Sequence, residues 1–239
     1  MPILEGKGVT KYFGGLAAIS NVNFNVERGE IVGLIGPNGA GKTTLFNLIS
    51  AALPTQQGVI TFKDIKITGM KSHQICKLGI ARTFQSVKIF PNVSVLENVM
   101  LGALFGKTTS TSSEAALKEV EEILDFIGLS AIKYNQAKDL TLVNQKRVEV
   151  ARALATDPEL LLLDELMAGL NHTEISETME MVSRIRDKGI TILMIEHVMK
   201  AIMSICDRII VLHHGETIAE GTPEEVSTSK KVIEVYLGE

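Results

Sequence analysis

Gly36-Pro37-Asn38-Gly39-Ala40-Gly41-Lys42-Thr43 is the run whose residue types and spacing speak most directly of chemistry. Glycines spaced this way let successive backbone N–H groups turn inward as an anion-binding nest, with a helix N-terminus behind it. A lysine at the end of the run reaches the outer phosphates of a nucleotide, and the threonine hydroxyl beside it ligates a divalent cation. The flanks are those the pattern needs. Ile31-Val32-Gly33-Leu34-Ile35 is a short apolar run of the kind buried on both faces of a parallel sheet, and Lys42 to Leu53 reads as a helix. A glycine-rich turn with no ligand is the bland alternative, and this context argues against it.

Leu160-Leu161-Leu162-Leu163 ends in Asp164-Glu165. A carboxylate at the tip of a buried strand beside a phosphate loop can hold a cation's water shell, which assigns Asp164 to the metal. Glu165 then falls where a carboxylate can polarise an attacking water. Alone, such a run would read as a helix end or strand cap. The phosphate loop reverses that.

Several elements must position these groups. Val59–Phe62 and Ile65–Ile67 flank Lys63-Asp64 as a hairpin, and Gly106–Ser113 is small and polar, the composition of a surface loop. Ser113 is the expected N-cap of a helix whose apolar face is Leu117, Val120, Leu124 and Ile127, ended by Gly128. A second helix is expected from Asn144 to Ala155, stopped by Asp157-Pro158. Ile175, Met179, Val182 and Ile185 mark another helix face; Ile190–Ile195 is a buried strand; Ile209–Leu212 and Thr217–Ala219 flank His213-His214-Gly215 as a late hairpin. Strands alternating with helices predict an α/β fold with a mostly parallel sheet, an antiparallel layer from the N-terminal strands, and a helical insertion. As a single domain, residues 1–85 and 159–239 would form the core and 86–158 the helical part.

The 239 residues are 45% hydrophobic and 22% charged, enough for a normal core, and a net charge of −4 argues against a nucleic-acid partner. Cys76 and Cys206 form no metal-binding or redox motif. The N-terminal residues lack the build of a signal peptide, and no apolar run approaches the roughly 20 residues that span a bilayer. Membrane work is therefore expected to go through partners.

With the markers in order, the chain resembles the ATPase subunits of ABC transporters from about Leu4 onward. They are Phe13 before Gly14-Gly15, the phosphate loop (Walker A), Gln85 in Arg-Thr-Phe-Gln, Asp164-Glu165, and His197 after a strand. The resemblance implies a P-loop ABC ATPase fold, with ATP and Mg²⁺ as ligands. It places Phe13 on adenine, with Tyr12 a competing candidate, and residues 36–43 with Thr44 on the phosphates. Gln85, Thr43 and Asp164 go to Mg²⁺, and Lys42, Glu165 and His197 to catalysis. Phe90-Pro91-Asn92-Val93-Ser94-Val95, Met167-Ala168-Gly169-Leu170-Asn171 and Val235-Tyr236-Leu237-Gly238-Glu239 resemble the ATPases of branched-chain amino acid importers. That implies integral membrane permease subunits as partners, a second ATPase subunit (a heterodimer by family habit, a homodimer otherwise), and a peripheral place on the cytoplasmic face of the membrane.

The sequence departs from the family at the signature loop, which caps ATP held by the partner subunit. Its counterpart is Leu140-Thr141-Leu142-Val143-Asn144. Val143 replaces the most characteristic glycine, and a β-branched side chain there restricts the backbone. Leu166 replaces the proline that follows the acidic pair, Val198 replaces an aspartate after His197, and Ala51 replaces a glycine, a change expected to affect packing only. Two readings stay open: an ATP-hydrolysing subunit that powers an importer, or an ATP-switched module with weak or no turnover. In a heterodimer only the site capped by this chain's signature loop would suffer, leaving Lys42 and Glu165 at the working site. With the partner ATPase present, Glu165→Gln should then lower phosphate release by about 10²-fold or more. An unchanged rate would refute this asymmetry.

Overall fold

Ten strands, nine α-helices and two short 3-10 helices are formed by residues 1–106 and 113–237, which are those described by the computed structural model. Two sheets divide the strands. β1 (Leu4–Phe13), β2 (Leu16–Val26), β4 (Gln57–Phe62) and β5 (Ile65–Lys66) form an antiparallel sheet in the order β2-β1-β4-β5. The second sheet joins β6 (Ile80–Arg82), β3 (Ile31–Ile35), β7 (Leu160–Asp164), β8 (Thr191–Ile195), β9 (Arg208–His213) and β10 (Glu216–Gly221) in the order β10-β9-β3-β8-β7-β6. All its pairings are parallel except the edge hairpin β9–β10. The α/β fold expected from the alternating pattern is the fold observed.

The apolar runs explain the layering. β3, β7 and β8 are buried along their whole length, as strands covered on both faces must be. Alternate residues feed two cores. Leu161, Leu163, Ile192 and Met194 face the helical side, while Leu160, Leu162, Leu193 and Ile195 face the antiparallel layer with Phe46, Phe62 and Ile60. Because the side-chain period is two, a one-residue slip of β7 would exchange these sets and carry Asp164 out of register with Ile195.

Between β6 and β7 the chain is helical: α3 (Val95–Phe105), α4 (Ser113–Ile127) and α5 (Leu142–Leu154). Ser94 caps α3, with Glu97 closing a capping box. The buried face of α4 is Ala116, Val120, Leu124 and Ile127. Leu117, assigned to that face from the sequence, is 38% exposed, because helical spacing admits either i or i+1 at the start of a stripe and Ala116 takes the inward place. Ser113 is the first residue of α4 rather than its cap, and the expected loop falls mostly on residues 107–112, outside the described residues.

Two other expectations are corrected. The helix after the phosphate loop, α1 (Lys42–Ile49), stops four residues before Leu53. It ends where Ala51 takes φ +52°, in the left-handed region that glycine occupies without cost. The effect of Ala51 thus lies in the backbone, not only in packing. α5 begins at Leu142, two residues before the expected start, with Thr141 as its N-cap.

Helices α2 (Ser72–Leu78), α7 (Met199–Ile205), α8 (Pro223–Thr228) and α9 (Lys230–Leu237) have no counterpart in the sequence reading, whereas α6 (His172–Asp187) does. Three of the four unexpected ones have seven residues or fewer, too short for a full helical period to show.

α3 and α5 meet at Gly102, where an added Cβ would lie 2.2 Å from the carbonyl of Arg152. Gly102→Ala should push the two helices apart and cost about 1–3 kcal/mol, read as a lower urea midpoint with an unchanged slope.

Candidate nucleotide and hydrolysis site

The phosphate loop lies between the buried end of β3 and α1. Gly36, Gly39 and Gly41 have φ of +150°, +79° and +105°. A Cβ on Gly36 would stand 2.1 Å from the Leu212 carbonyl, and one on Gly41 2.4 Å from that of Ala18. Glycine is required at both places by close approach as well as by dihedral angle. Lys42 Nζ donates to the carbonyls of Gly36 at 2.6 Å and Pro37 at 2.9 Å, arching over its own loop. Burial lowers its pKa, and the nearby Glu165 and Asp164 carboxylates oppose that shift.

Asp164 is held at the tip of β7 by Arg82 of β6. Arg82 Nη2 donates to Oδ2 at 2.9 Å, with 7% and 1% of the two side chains exposed. The same guanidinium donates to Asn47 Oδ1 and Ser50 Oγ of the α1 segment and lies over the Phe46 and Phe84 rings. Burial raises the Asp164 pKa, and the Arg82 bond pulls it back. Its other oxygen, Oδ1, is buried without a hydrogen-bond partner. An orphan carboxylate oxygen on Asp164, with Thr43 and Gln85 both lining the cleft, offers hard oxygen donors of the kind Mg²⁺ takes while keeping several waters.

Glu165 is the meeting point. Gln85 Nε2 donates to Oε2 at 3.0 Å, and His197 Nε2 lies 2.9 Å from Oε1. Residues 85, 165 and 197, which the sequence connects only by order, are thus one hydrogen-bonded set. Glu165 has φ +50°, uncommon for a residue with a side chain, and its N–H donates to the Ile195 carbonyl at 2.9 Å.

A cleft of about 320 Å³ is lined by the loop residues from Asn38 to Thr44 and by Gln85, Glu165 and His197 at one end, with Leu16, Ala17, Ala18 and His214 completing its wall. Gly36 and Pro37 lie beneath the Lys42 ammonium. Phe13 is not among the lining residues. It stands at the end of β1, 48% exposed, with Lys11 Nζ 5.4 Å from its ring centre, and Tyr12 is 40% exposed. His214, read from the sequence as a plain hairpin residue, does line the cleft. Its turn with Gly215 has φ of +47° and +78°, and Gly215 donates to the Ala40 carbonyl while accepting from Ser20 N–H. No sequence signal joins positions 20, 40 and 215.

The signature-loop counterpart lies elsewhere, at the start of α5. Leu140 is half-buried, Thr141 is an exposed N-cap whose side chain caps nothing, and Leu142, Val143 and Asn144 form the first helical turn. The first intrahelical bond is Gln145 N–H to the Thr141 carbonyl, so the three preceding amides have no partner within the helix. Val143 is compatible with that turn and is half-buried; Leu142, 45% exposed, leans toward Gly169.

The ABC transporter family profile matches residues 19–168, most of the chain. The chain belongs to the ABC transporter family. It is the ATP-binding, ATP-hydrolysing cassette of such a system. A second profile, of the branched-chain amino acid ATP-binding cassette transporter, matches residues 216–239 of the cassette. It is 41% identical to the high-affinity branched-chain amino acid transport ATP-binding protein LivG of Escherichia coli (strain K12), and 38% to BraF of Pseudomonas aeruginosa. The alignments cover 100% of this chain and 98% of each relative. In structure it is similar to the ADP conformation of MJ1267, an ATP-binding cassette of an ABC transporter, with TM-score 0.91, 32% identity and full coverage of both chains. It also resembles the dimeric cassette MJ0796, with TM-score 0.83, 29% identity and coverage of 92% of this chain and 98% of that one.

Glu196, beside His197, is 2% exposed, and its Oε1 accepts from Met167 N–H at 2.8 Å. Burial raises its pKa from 4.5 to about 7. The folded protein therefore holds this proton at pH values where the unfolded chain has lost it, so stability falls as pH rises from 4.5 toward about 7. Against Glu196→Gln, the parent should lose up to about 1.4 kcal/mol per pH unit across that window, seen in urea midpoints measured at several pH values.

Proposed function

We propose that this cassette powers the import of branched-chain, hydrophobic amino acids, with MgATP as its fuel and Glu165 as the general base. The observation that carries the reading is the convergence of Gln85 and His197 on the Glu165 carboxylate, beside a phosphate loop whose lysine is already in place. In this reading residues 36–44 bind the phosphates. Lys42 exchanges its bonds to Gly36 and Pro37 for phosphate oxygens and stabilises charge as it builds on them. Asp164 Oδ1, Thr43 and Gln85 would hold a Mg²⁺ shell, which would supply charge neutralisation for the phosphates when bound. Glu165 orients and deprotonates the attacking water, and His197 fixes that carboxylate on one side while reaching toward the terminal phosphate. Phe13 joins the base only if the tip of the β1–β2 hairpin moves inward.

The cargo is supported by the names of the relatives and by the profile over residues 216–239. Among the described residues no helix is long and apolar enough to cross a membrane, which fits a peripheral subunit on the cytoplasmic face of permease partners. A groove beside Gln85 suits them. Phe84, Phe90, Ile75, Leu101 and Ala153 give it apolar walls, with Lys88 and Arg152 at its edge. The proposed partner ATPase is a different chain, whose intact signature loop would complete the site built on Lys42. The free amides of α5 and the Thr141 hydroxyl would cap the partner's nucleotide less well.

Lys42→Ala should weaken ATP binding by about 10-fold or more and abolish phosphate release, since a charge-assisted contact is lost. Vesicles holding the assembled transporter should take up labelled leucine, isoleucine or valine in an ATP-dependent way, and the Lys42 variant should not. Uptake of none of the three would remove the proposed cargo while leaving the ATPase intact.

A further inference from the structure

We propose that Lys146 is a positioning residue for hydrolysis: together with Glu196, it clamps the turn Glu165–Ala168 and so sets the aim of the Glu165 carboxylate. This rests on Glu165 being the general base.

Lys146 lies on the second turn of α5 and is 6% exposed. Its ammonium donates to three carbonyls of one turn: Glu165 at 3.0 Å, Leu166 at 2.9 Å and Ala168 at 2.8 Å. An ammonium has three N–H donors, and here all three are used. That completeness matters, because a buried charge without partners is costly, and the pKa of Lys146 is lowered by burial all the same. Glu196 Oε1 accepts from the amide of the intervening residue, Met167, at 2.8 Å. Ammonium and carboxyl group hold carbonyls and amide of the same four residues.

The turn needs such a clamp. Glu165 enters it at φ +50°, a conformation that costs energy unless its surroundings impose it. Leu166 stands where a proline would have fixed φ by its ring, so covalent stiffness is absent. Leu166 and Met167 are anchored in the apolar core, at 3% and 1% exposure. Of the three carbonyls that Lys146 holds, only that of Glu165 has a backbone partner among the described residues, Ala168 N–H at 3.2 Å. Apolar packing alone does not orient the Leu166 and Ala168 carbonyls. The polar clamp does. Because Lys146 is two residues beyond Asn144, it also ties the first turn of α5 to this chain's own base.

The test uses the assembled transporter with Lys146→Met, Lys146→Gln and Lys146→Arg, and Glu165→Gln as the reference. Lys146→Met should reduce kcat about 10- to 100-fold with KM for ATP within threefold of the parent, since misplacing a catalytic group by an ångström costs that much. Arg, a cation with several donors, should restore most of kcat; Gln should fall between. Should the Met variant not fold, the Gln variant decides, with a smaller fall in kcat expected at an unchanged KM. A folded Met or Gln variant with parental kcat overturns the proposal, as does one in which KM rises and kcat does not change. If those variants keep parental kcat while Glu165→Gln abolishes turnover, the clamp is refuted and the base stands. Full turnover in Glu165→Gln would remove the base, and the clamp with it.

Discussion

The amide of Glu165 donates to the carbonyl of Ile195, and this one bond joins β7 to β8 at the level where the chemistry begins. Parallel strands of equal register end at a common edge, so side chains just beyond their ends come together without any connection in sequence. Asp164 pairs with Ile195 in the last rung. One residue later the two chains diverge, and Glu165 and Glu196-His197 turn into the cleft and behind it. The left-handed backbone at Glu165 is the price of leaving the sheet there. Lys146, Glu196 and the core contacts of Leu166 and Met167 hold the chain to that exit.

The phosphate loop is organised differently. It is shaped by what cannot fit, since Gly36 and Gly41 run against the carbonyls of Leu212 and Ala18. Two of its lysine's donors are already taken by the loop's own oxygens. Binding is then an exchange of partners rather than the filling of a bare positive nest. Arg82 extends the same economy to Asp164, whose buried carboxylate is half paired and half left available.

Much of this was legible in the sequence, for identifiable reasons. The nest, the acidic strand end and the buried strands carry their signals within a few residues, because glycine, four consecutive leucines and a terminal carboxylate have few other uses together. Gln85 and His197 were legible only by their order along the chain; that both touch Glu165 is a fact of sheet geometry. Lys146, Glu196 and His214 were not legible. Each acts on backbone groups or walls supplied by distant segments, and a lysine on an amphipathic helix ordinarily faces water. Phe13 shows the reverse case, a marker whose ring lies outside the cleft residues. Ala51 was read as packing and is a backbone matter, because a left-handed residue leaves no trace in composition unless it is glycine.

The turn of His214 and Gly215 has a temporal meaning. Gly215 bonds at once to Ala40 in the phosphate loop and to Ser20 in β2, positions made far earlier in synthesis. A chain grows from its N-terminus at roughly 5–20 residues per second, so the loop exists for many seconds before the hairpin that braces it. During that interval the nascent chain carries the phosphate loop without this brace. The brace of the phosphate loop therefore arrives only with the last two strands of the sheet.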